Sequence, residues 1–196
     1  MKKVMIAAIA VVGFSVTGLA QQQVKFGPKA GVNLANLSGN DDAEMKIGFH
    51  VGAVAEIKFN DKFSLQPEVL YSAQGAQLKE NNDIKTNNDY INIPIMAKYY
   101  FVEGFSVELG PQVGFLMKSE VKGDDGSLDT KDFYKSVDFG VGVGLAYDLP
   151  MGLFVNARYN IGLSKINEDI DVVGPITIET EDIKNNVIQI GIGYKF

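Results

Sequence analysis

Apolar residues recur at every second position through eight stretches of this chain. The first, roughly Val24 to Ala35, sets Phe26, Ala30, Val32 and Leu34 opposite Lys25, Lys29 and Asn33. In the second, Ile47, Phe49, Val51, Ala53, Ala55 and Ile57 oppose His50, Glu56 and Lys58, and in the third Phe63, Leu65, Val69 and Tyr71 oppose Ser64, Gln66, Glu68 and Gln74. The fourth sets Ile91, Ile93, Ile95, Ala97, Tyr99 and Phe101 against Asn92 and Lys98. The fifth sets Phe105, Val107, Leu109, Val113, Phe115 and Met117 against Glu108, Gly110, Gln112 and Gly114. Val137 to Tyr147 alternates Val, Leu or aromatic residues with Asp138, Gly140, Gly142 and Gly144. Leu153 to Leu163 alternates with Asn156, Arg158, Asn160 and Gly162. The last stretch runs Ile188, Ile190, Ile192, Tyr194, Phe196 against Gln189, Gly191, Gly193 and Lys195. A period of two residues is that of a β-strand with one apolar and one polar face.

The connections alternate in length. Asn60-Asp61-Lys62, Val102-Glu103-Gly104 and Pro150-Met151-Gly152 are short and carry Gly, Pro and Asn or Asp for tight backbone geometry. The other four, roughly 36–46, 76–89, 118–134 and 165–185, are long and polar. Tight turns at one rim and extended loops at the other, with an even strand count, predict an all-β fold: an eight-stranded antiparallel up-and-down transmembrane β-barrel. In the last loop Ile176-Thr177-Ile178-Glu179-Thr180 alternates after Gly174-Pro175 and predicts an extended hairpin. Pro28, Pro67, Pro94 and Pro111 fall inside strands, where a missing N–H removes a ladder bond; they are expected near rims or at bulges.

The N-terminus adds a location. Lys2 and Lys3 precede an uncharged, mostly apolar run from Val4 to Leu19, and Gly18-Leu19-Ala20 offers small residues to a signal peptidase. Residues 1–20 are therefore expected to be a cleaved signal peptide, leaving 21–196 as one outer-membrane barrel domain. The chain has no cysteine, which excludes an N-terminal lipid anchor on cysteine and any disulfide.

Alternation alone leaves open which face points inward. The polar face is rich in Gly, Ala and Ser and carries charges of both signs, as a narrow filled interior requires. Glu56, Lys58, Glu68, Lys98, Glu108, Asp138 and Arg158 are expected to form an interior ion-pair and polar network. Aromatic residues recur near strand ends, as at membrane interfaces, and Tyr194 and Phe196 are the expected C-terminal girdle and insertion residues.

The whole chain carries a net charge of −6, and the four long connections together carry −9. This reads as a solvated, self-repelling loop surface. Asp124-Asp125-Gly126-Ser127-Leu128-Asp129 lacks the EF-hand spacing, so a divalent cation stays unassigned there. No cofactor is implied. An acidic chain without a basic stripe is not expected to bind nucleic acid. There is one histidine, His50, no nucleophile-elbow sequence and no phosphate loop. Glu68 and Glu108 read as structural ion-pair members rather than an acid–base couple, so the chain is not expected to be an enzyme.

Four blocks carry a family resemblance: Lys29-Ala30-Gly31-Val32-Asn33-Leu34-Ala35, Pro67-Glu68-Val69-Leu70-Tyr71, Tyr90-Ile91-Asn92-Ile93-Pro94 and Ala157-Arg158-Tyr159-Asn160-Ile161-Gly162-Leu163. In their order they resemble the PorT-like, porin-family outer-membrane β-barrel domain abundant in Bacteroidota-type bacteria. The resemblance implies an eight-stranded outer-membrane barrel without catalytic residues. Some relatives are associated with secretion and gliding machinery, but no motif here carries that role over.

The expected function is thus an integral outer-membrane barrel with a packed polar interior and long acidic loops, in a structural or interaction role at the cell surface. Two alternatives remain open at this point: a narrow porin for small solutes, and a soluble secreted barrel with its apolar face around an apolar ligand. The expected partners are the outer-membrane bilayer, the barrel-insertion machinery, and surface proteins or cations at the acidic loops. The barrel is expected to be a monomer with its termini and short turns periplasmic and its long loops extracellular.

Overall fold

The alternating stretches pair edge to edge into a closed ring. A computed structural model describes residues 23–38, 43–78, 85–123, 126–167, 170–172, 176–178 and 182–196; the expected signal peptide lies outside them. The strands are β1 (Gln23–Ser38), β2 (Ala43–Lys58), β3 (Phe63–Leu78), β4 (Lys85–Val102), β5 (Phe105–Gly123), β6 (Gly126–Asp129), β7 (Val137–Asp148), β8 (Leu153–Gly162), β9 (Ile170–Val172), β10 (Ile176–Ile178) and β11 (Lys184–Tyr194). Eight of them, β1, β2, β3, β4, β5, β7, β8 and β11, form the antiparallel barrel, and β11 closes on β1 from Lys29↔Gly193 to Ser38↔Lys184. Closure leaves no strand edge exposed to hydrocarbon, which an open sheet could not achieve in a bilayer.

The facing of each barrel strand follows the alternation. Phe26, Val32, Phe49, Val69, Leu109, Val143, Ile190 and Ile192 point outward and are exposed, while Lys29, Glu56, Glu68, Lys98, Glu108 and Arg158 are buried inside. An apolar outer wall around a polar core removes the secreted-barrel alternative, which needed the apolar face inside. Near the short turns the wall carries an aromatic ring of Phe26, Phe63, Tyr99, Phe101, Phe105, Tyr147, Tyr194 and Phe196. Centroid separations within it include 4.9 Å for Phe63–Tyr99 and 5.0 Å for Tyr194–Phe196. Phe49 and Tyr71 make a second pair, 5.8 Å apart, toward the long-connection end, where the register also brings Phe115 and Phe139. Two aromatic belts bounding an apolar band mark a membrane-spanning barrel. No helix among the described residues is long and apolar enough to cross a membrane.

The turns follow their sequences. Gly104 and Gly152 take φ of +77° and +91°, a left-handed backbone that favours glycine. Asn60 closes the first turn by accepting from the backbone N–H of Lys62 and Phe63, both at 2.9 Å.

Two expectations need correction. Much of the segments read as long loops is strand: β4 begins at Lys85 and β5 runs to Gly123, where β6 folds back on it from Glu120↔Asp129 to Gly123↔Gly126. The wall is therefore uneven, since β2 to β5 rise well past the upper aromatics whereas β7, β8 and β11 stop near them. On the tall part, beyond the membrane-spanning span, Lys118 and Lys122 bond Glu120 at 2.7 and 3.0 Å and hold its carboxyl below the usual range. The hairpin expected in the last connection is present as β9 paired with β10, Ile176↔Val172 to Ile178↔Ile170, with 173–175 and 179–181 outside the described residues. Of the prolines, Pro28 lies at the short-turn end, one residue before the β1–β11 ladder begins, as expected, but the other three sit neither at rims nor at bulges. Pro67, Pro94 and Pro111 surround Ile95 in mid-wall: Pro67 pairs with Ile95, Pro94 with Gln112 and Pro111 with Val141. The adjacent ladder lapses for two residues beside each, then resumes in unchanged register. The register shifts lie elsewhere, between Met45 and His50, between Asp89 and Tyr90 and between Tyr100 and Val102. Long ladders on both sides hold register across a lost bond, so no extra residue is needed.

Candidate functional site

Among the described residues, the lumen concentrates charge away from water. Its contents stack in tiers along the barrel axis. In mid-barrel, β8 projects Arg158 inward opposite Gly144 of β7. A Cβ on Gly144 would stand 2.9 Å from the Arg158 Cα, and one on Gly142 3.0 Å from its Cδ, so glycine at these positions makes room for the long side chain. Arg158 Nε donates to Glu108 Oε1 at 2.8 Å, while Nη1 and Nη2 donate to Glu68 Oε2 and Oε1 at 3.1 and 2.7 Å. Lys29 adds a 3.0 Å ion pair to Glu68, and Gln66 and Asn156 donate to Glu68 and Glu108 at 2.8 and 3.1 Å. The side chains of Lys29, Glu68, Glu108 and Arg158 are all fully enclosed, at 0 % exposure. Two cations and two anions so arranged cancel locally, which is what makes burial tolerable.

A second set lies toward the short turns. Lys195 Nζ donates to Glu56 Oε2 at 2.6 Å and to both Asp148 oxygens at 2.9 Å. Lys98 reaches Asp148 at 3.4 Å and Glu56 at 3.8 Å. Tyr100 donates its hydroxyl among Glu56 and Asp148, the latter at 2.6 Å, and Ser64 donates to Glu56 at 2.7 Å. This set also balances two cations against two anions.

Above the mid-barrel set comes a neutral tier. Asn33 donates to Ser72 Oγ and to the Phe49 carbonyl, both at 2.9 Å. Its Oδ1 faces His50 Nδ1 at 2.8 Å and accepts from Gln189 at 3.2 Å. Asn185 donates to Gln74 across the lumen. The long-connection end is closed by an apolar cluster of Leu37, Ala76 and Ile166, flanked by Tyr134 and Ile183. Ile166 comes from the segment after β8. Its carbonyl accepts from Lys135 N–H at 2.7 Å and its N–H donates to the Ile183 carbonyl at 2.9 Å, so the segment is pinned across the opening.

The seven expected network residues thus divide. Glu68, Glu108 and Arg158 meet in one set and Glu56 and Lys98 in the other. Lys58 joins neither and lays its ammonium over the Tyr100 ring, 4.9 Å from the centroid; Asp138 accepts from Ser164 at 2.8 Å. Lys29, Lys195, Asp148 and Tyr100 complete the sets and were not assigned to them. Lys29 and Lys195 stand on the polar faces of their strands. Asp148, at the edge of the turn before β8, and Tyr100, polar-facing in an aromatic run, gave weaker signals. Tyr194 and Phe196 lie on the outer wall, with the Phe196 N–H donating to the Phe26 carbonyl at 3.0 Å. Among the described residues no three His, Cys, Asp or Glu side chains converge to hold a metal ion; Asp124 and Asp125 lie outside them.

Residues 19–168 match the model of the outer membrane protein beta-barrel domain. The chain belongs to that family. It is an outer-membrane β-barrel protein, with an eight-stranded barrel as the body of its described fold. No curated protein sequence matches it. Among solved structures it is similar to Neisserial surface protein A, with a TM-score of 0.60 and 16% identity, covering 89% of this chain and 99% of that one. It is also similar to Ail, the attachment invasion locus protein of Yersinia pestis, with a TM-score of 0.53, 16% identity and the same two coverages. A further structure of Ail, in complex with the heparin analogue sucrose octasulfate, gives a TM-score of 0.52 at 16% identity. At these identities the likeness is one of fold.

Proposed function

We propose that this protein is a non-conducting barrel that presents a stiff acidic surface outside the cell and works there by contact. The observation that carries the reading is the filled lumen: among the described residues, two self-neutralising charge sets and an amide tier occupy it, and the Ile166 cluster lies at its long-connection end. The tall part of the wall supports the second half, because Glu44, Asp89, Glu120 and Asp129, interspersed with four lysines, are carried there on paired strands that form a defined surface rather than a loose fringe. The short turns and both ends of the barrel then face the periplasm and the long connections face outward, as in outer-membrane barrels generally. On this reading residues 1–20 are removed on export, Tyr194 and Phe196 serve recognition by the insertion machinery, and the barrel works as a monomer. The four sequence blocks quoted above favour the PorT-like branch of the family.

Single-channel recording in planar bilayers tests the reading directly. The purified protein is expected to give no steady openings. Reproducible unitary currents from folded protein would replace it with the narrow-porin alternative.

A further inference from the structure

The mouth at the short-turn end holds a cavity of about 450 Å³, lined by Lys25, Lys58, Tyr100, Tyr147, Leu153 and Lys195, with Glu56 and Asp148 in its lining and Glu103 on its rim. That volume lies within the span of ordinary small-ligand sites. What distinguishes the cavity is an imbalance of charge. Lys25 stands directly opposite Glu56 in the β1–β2 register. The Glu56 carboxylate is nevertheless taken by Lys195, Lys98, Ser64 and Tyr100. Asp148 is likewise taken by Lys195, Lys98 and Tyr100. Among the described residues no carboxylate pairs with Lys25 or Lys58, and Lys58 rests only on an aromatic face. Both lysines are half-buried on the lumen face of adjacent strands, two positions apart in register, so their ammonium groups can converge.

We propose that this mouth is a binding site for a small molecule bearing a phosphate group. Two ammonium groups without a carboxylate partner stand beside a floor that is already neutral, with exposed Glu103 as the remaining charge of the lining, and an anion that reaches both ammonium groups at once suits them. A phosphate presents several acceptor oxygens to share between two lysines, whereas a single carboxylate would neutralise one and leave the other. Tyr147 and Leu153 supply an apolar side for the rest of the ligand. The group could be delivered by a free phosphate ester or by a lipid headgroup, and the chemistry of capture is the same.

The test uses the full barrel in a non-ionic detergent at low ionic strength, with inorganic phosphate as probe and ³¹P line broadening as readout. Broadening is expected for the parent protein and for Lys62→Gln, an exposed turn lysine. Combined Lys25→Gln and Lys58→Gln should weaken binding by at least about tenfold. These two substitutions remove no partner of Glu56 or Asp148, and heat-modifiable gel migration confirms that the variant is folded. Mass spectrometry of protein taken from membranes separates the sources: phospholipid retained by the parent and lost from the double variant indicates a headgroup. Phosphate binding without retained lipid indicates a free ester. No broadening with the parent protein, or equal broadening after both substitutions, overturns the proposal, and either result is independent of whether the barrel conducts.

Discussion

Replacing Arg158 with methionine isolates the electrostatic logic of the lumen. The guanidinium makes three charge-assisted bonds, at 2.7, 2.8 and 3.1 Å, to two carboxylates with no access to water. Methionine fills much of the same space but leaves Glu68 and Glu108 facing a single ammonium, that of Lys29, so one buried negative charge goes uncompensated. Breaking a buried pair from one side costs about 3–5 kcal/mol. At about 1.4 kcal/mol per decade this is roughly a 150- to 5,000-fold loss in the folding equilibrium. Because the chain has no tryptophan, denaturant unfolding in lipid vesicles is best followed by the mobility difference between folded and unfolded protein on unheated gels. The decisive comparison adds Glu108→Gln to Arg158→Met. That pair leaves Lys29 with Glu68 as a neutral couple, and the introduced amide oxygen can still accept from Asn156, whose Nδ2 lies 3.1 Å from Glu108 Oε1. The double variant should recover more than half of the lost stability. If the single and double variants unfold together, volume and not charge governs this tier, and the reasoning fails.

Other outcomes follow from the same structure. Deleting Phe196, which stacks on Tyr194 at 5.0 Å and on Phe26 at 6.1 Å, should slow the appearance of heat-modifiable protein in a pulse-chase more than Val155→Ala in mid-strand. Gly31→Ala drives a Cβ into the Ile190 carbonyl oxygen and to 2.6 Å from His50 Cε1, at the seam where β1 closes on β11. It should destabilise the barrel by about 1–3 kcal/mol in the same gel assay. Trypsin added to intact cells should cut after Lys118 or Lys122, whose side chains are 57% exposed, and leave the short turns whole; the reverse pattern would invert the orientation.

Strand identity and facing were legible because lipid on one side and a filled lumen on the other impose strict alternation, as Ile188 to Phe196 shows. Strand length was not, since above the membrane the outer face of β4 and β5 meets water, and polar residues such as Lys85, Asn87, Lys118 and Lys122 replace the apolar half of the pattern. Alternation also told which charges enter the lumen without telling their height. Height depends on register summed around the ring, so Glu68 could not be matched to Arg158, 90 residues away, from spacing. Ile166 was hidden for a related reason: one apolar residue in a polar segment gains meaning only when the ring beneath it is closed.

The unequal height of the wall has a bearing on neighbours. A barrel of uniform rim looks the same from every direction in the plane of the membrane, but here β2 to β5 stand as a screen on one flank, while the barrel strands β7, β8 and β11 end lower on the other, where the connection carrying the β9–β10 hairpin leaves the wall. On the orientation proposed above, large molecules at the cell surface would meet continuous barrel wall from the first side and a connection in place of wall from the second. Azimuth thus becomes a property of the protein, and crosslinks to adjacent surface molecules are expected to gather on one half of its circumference.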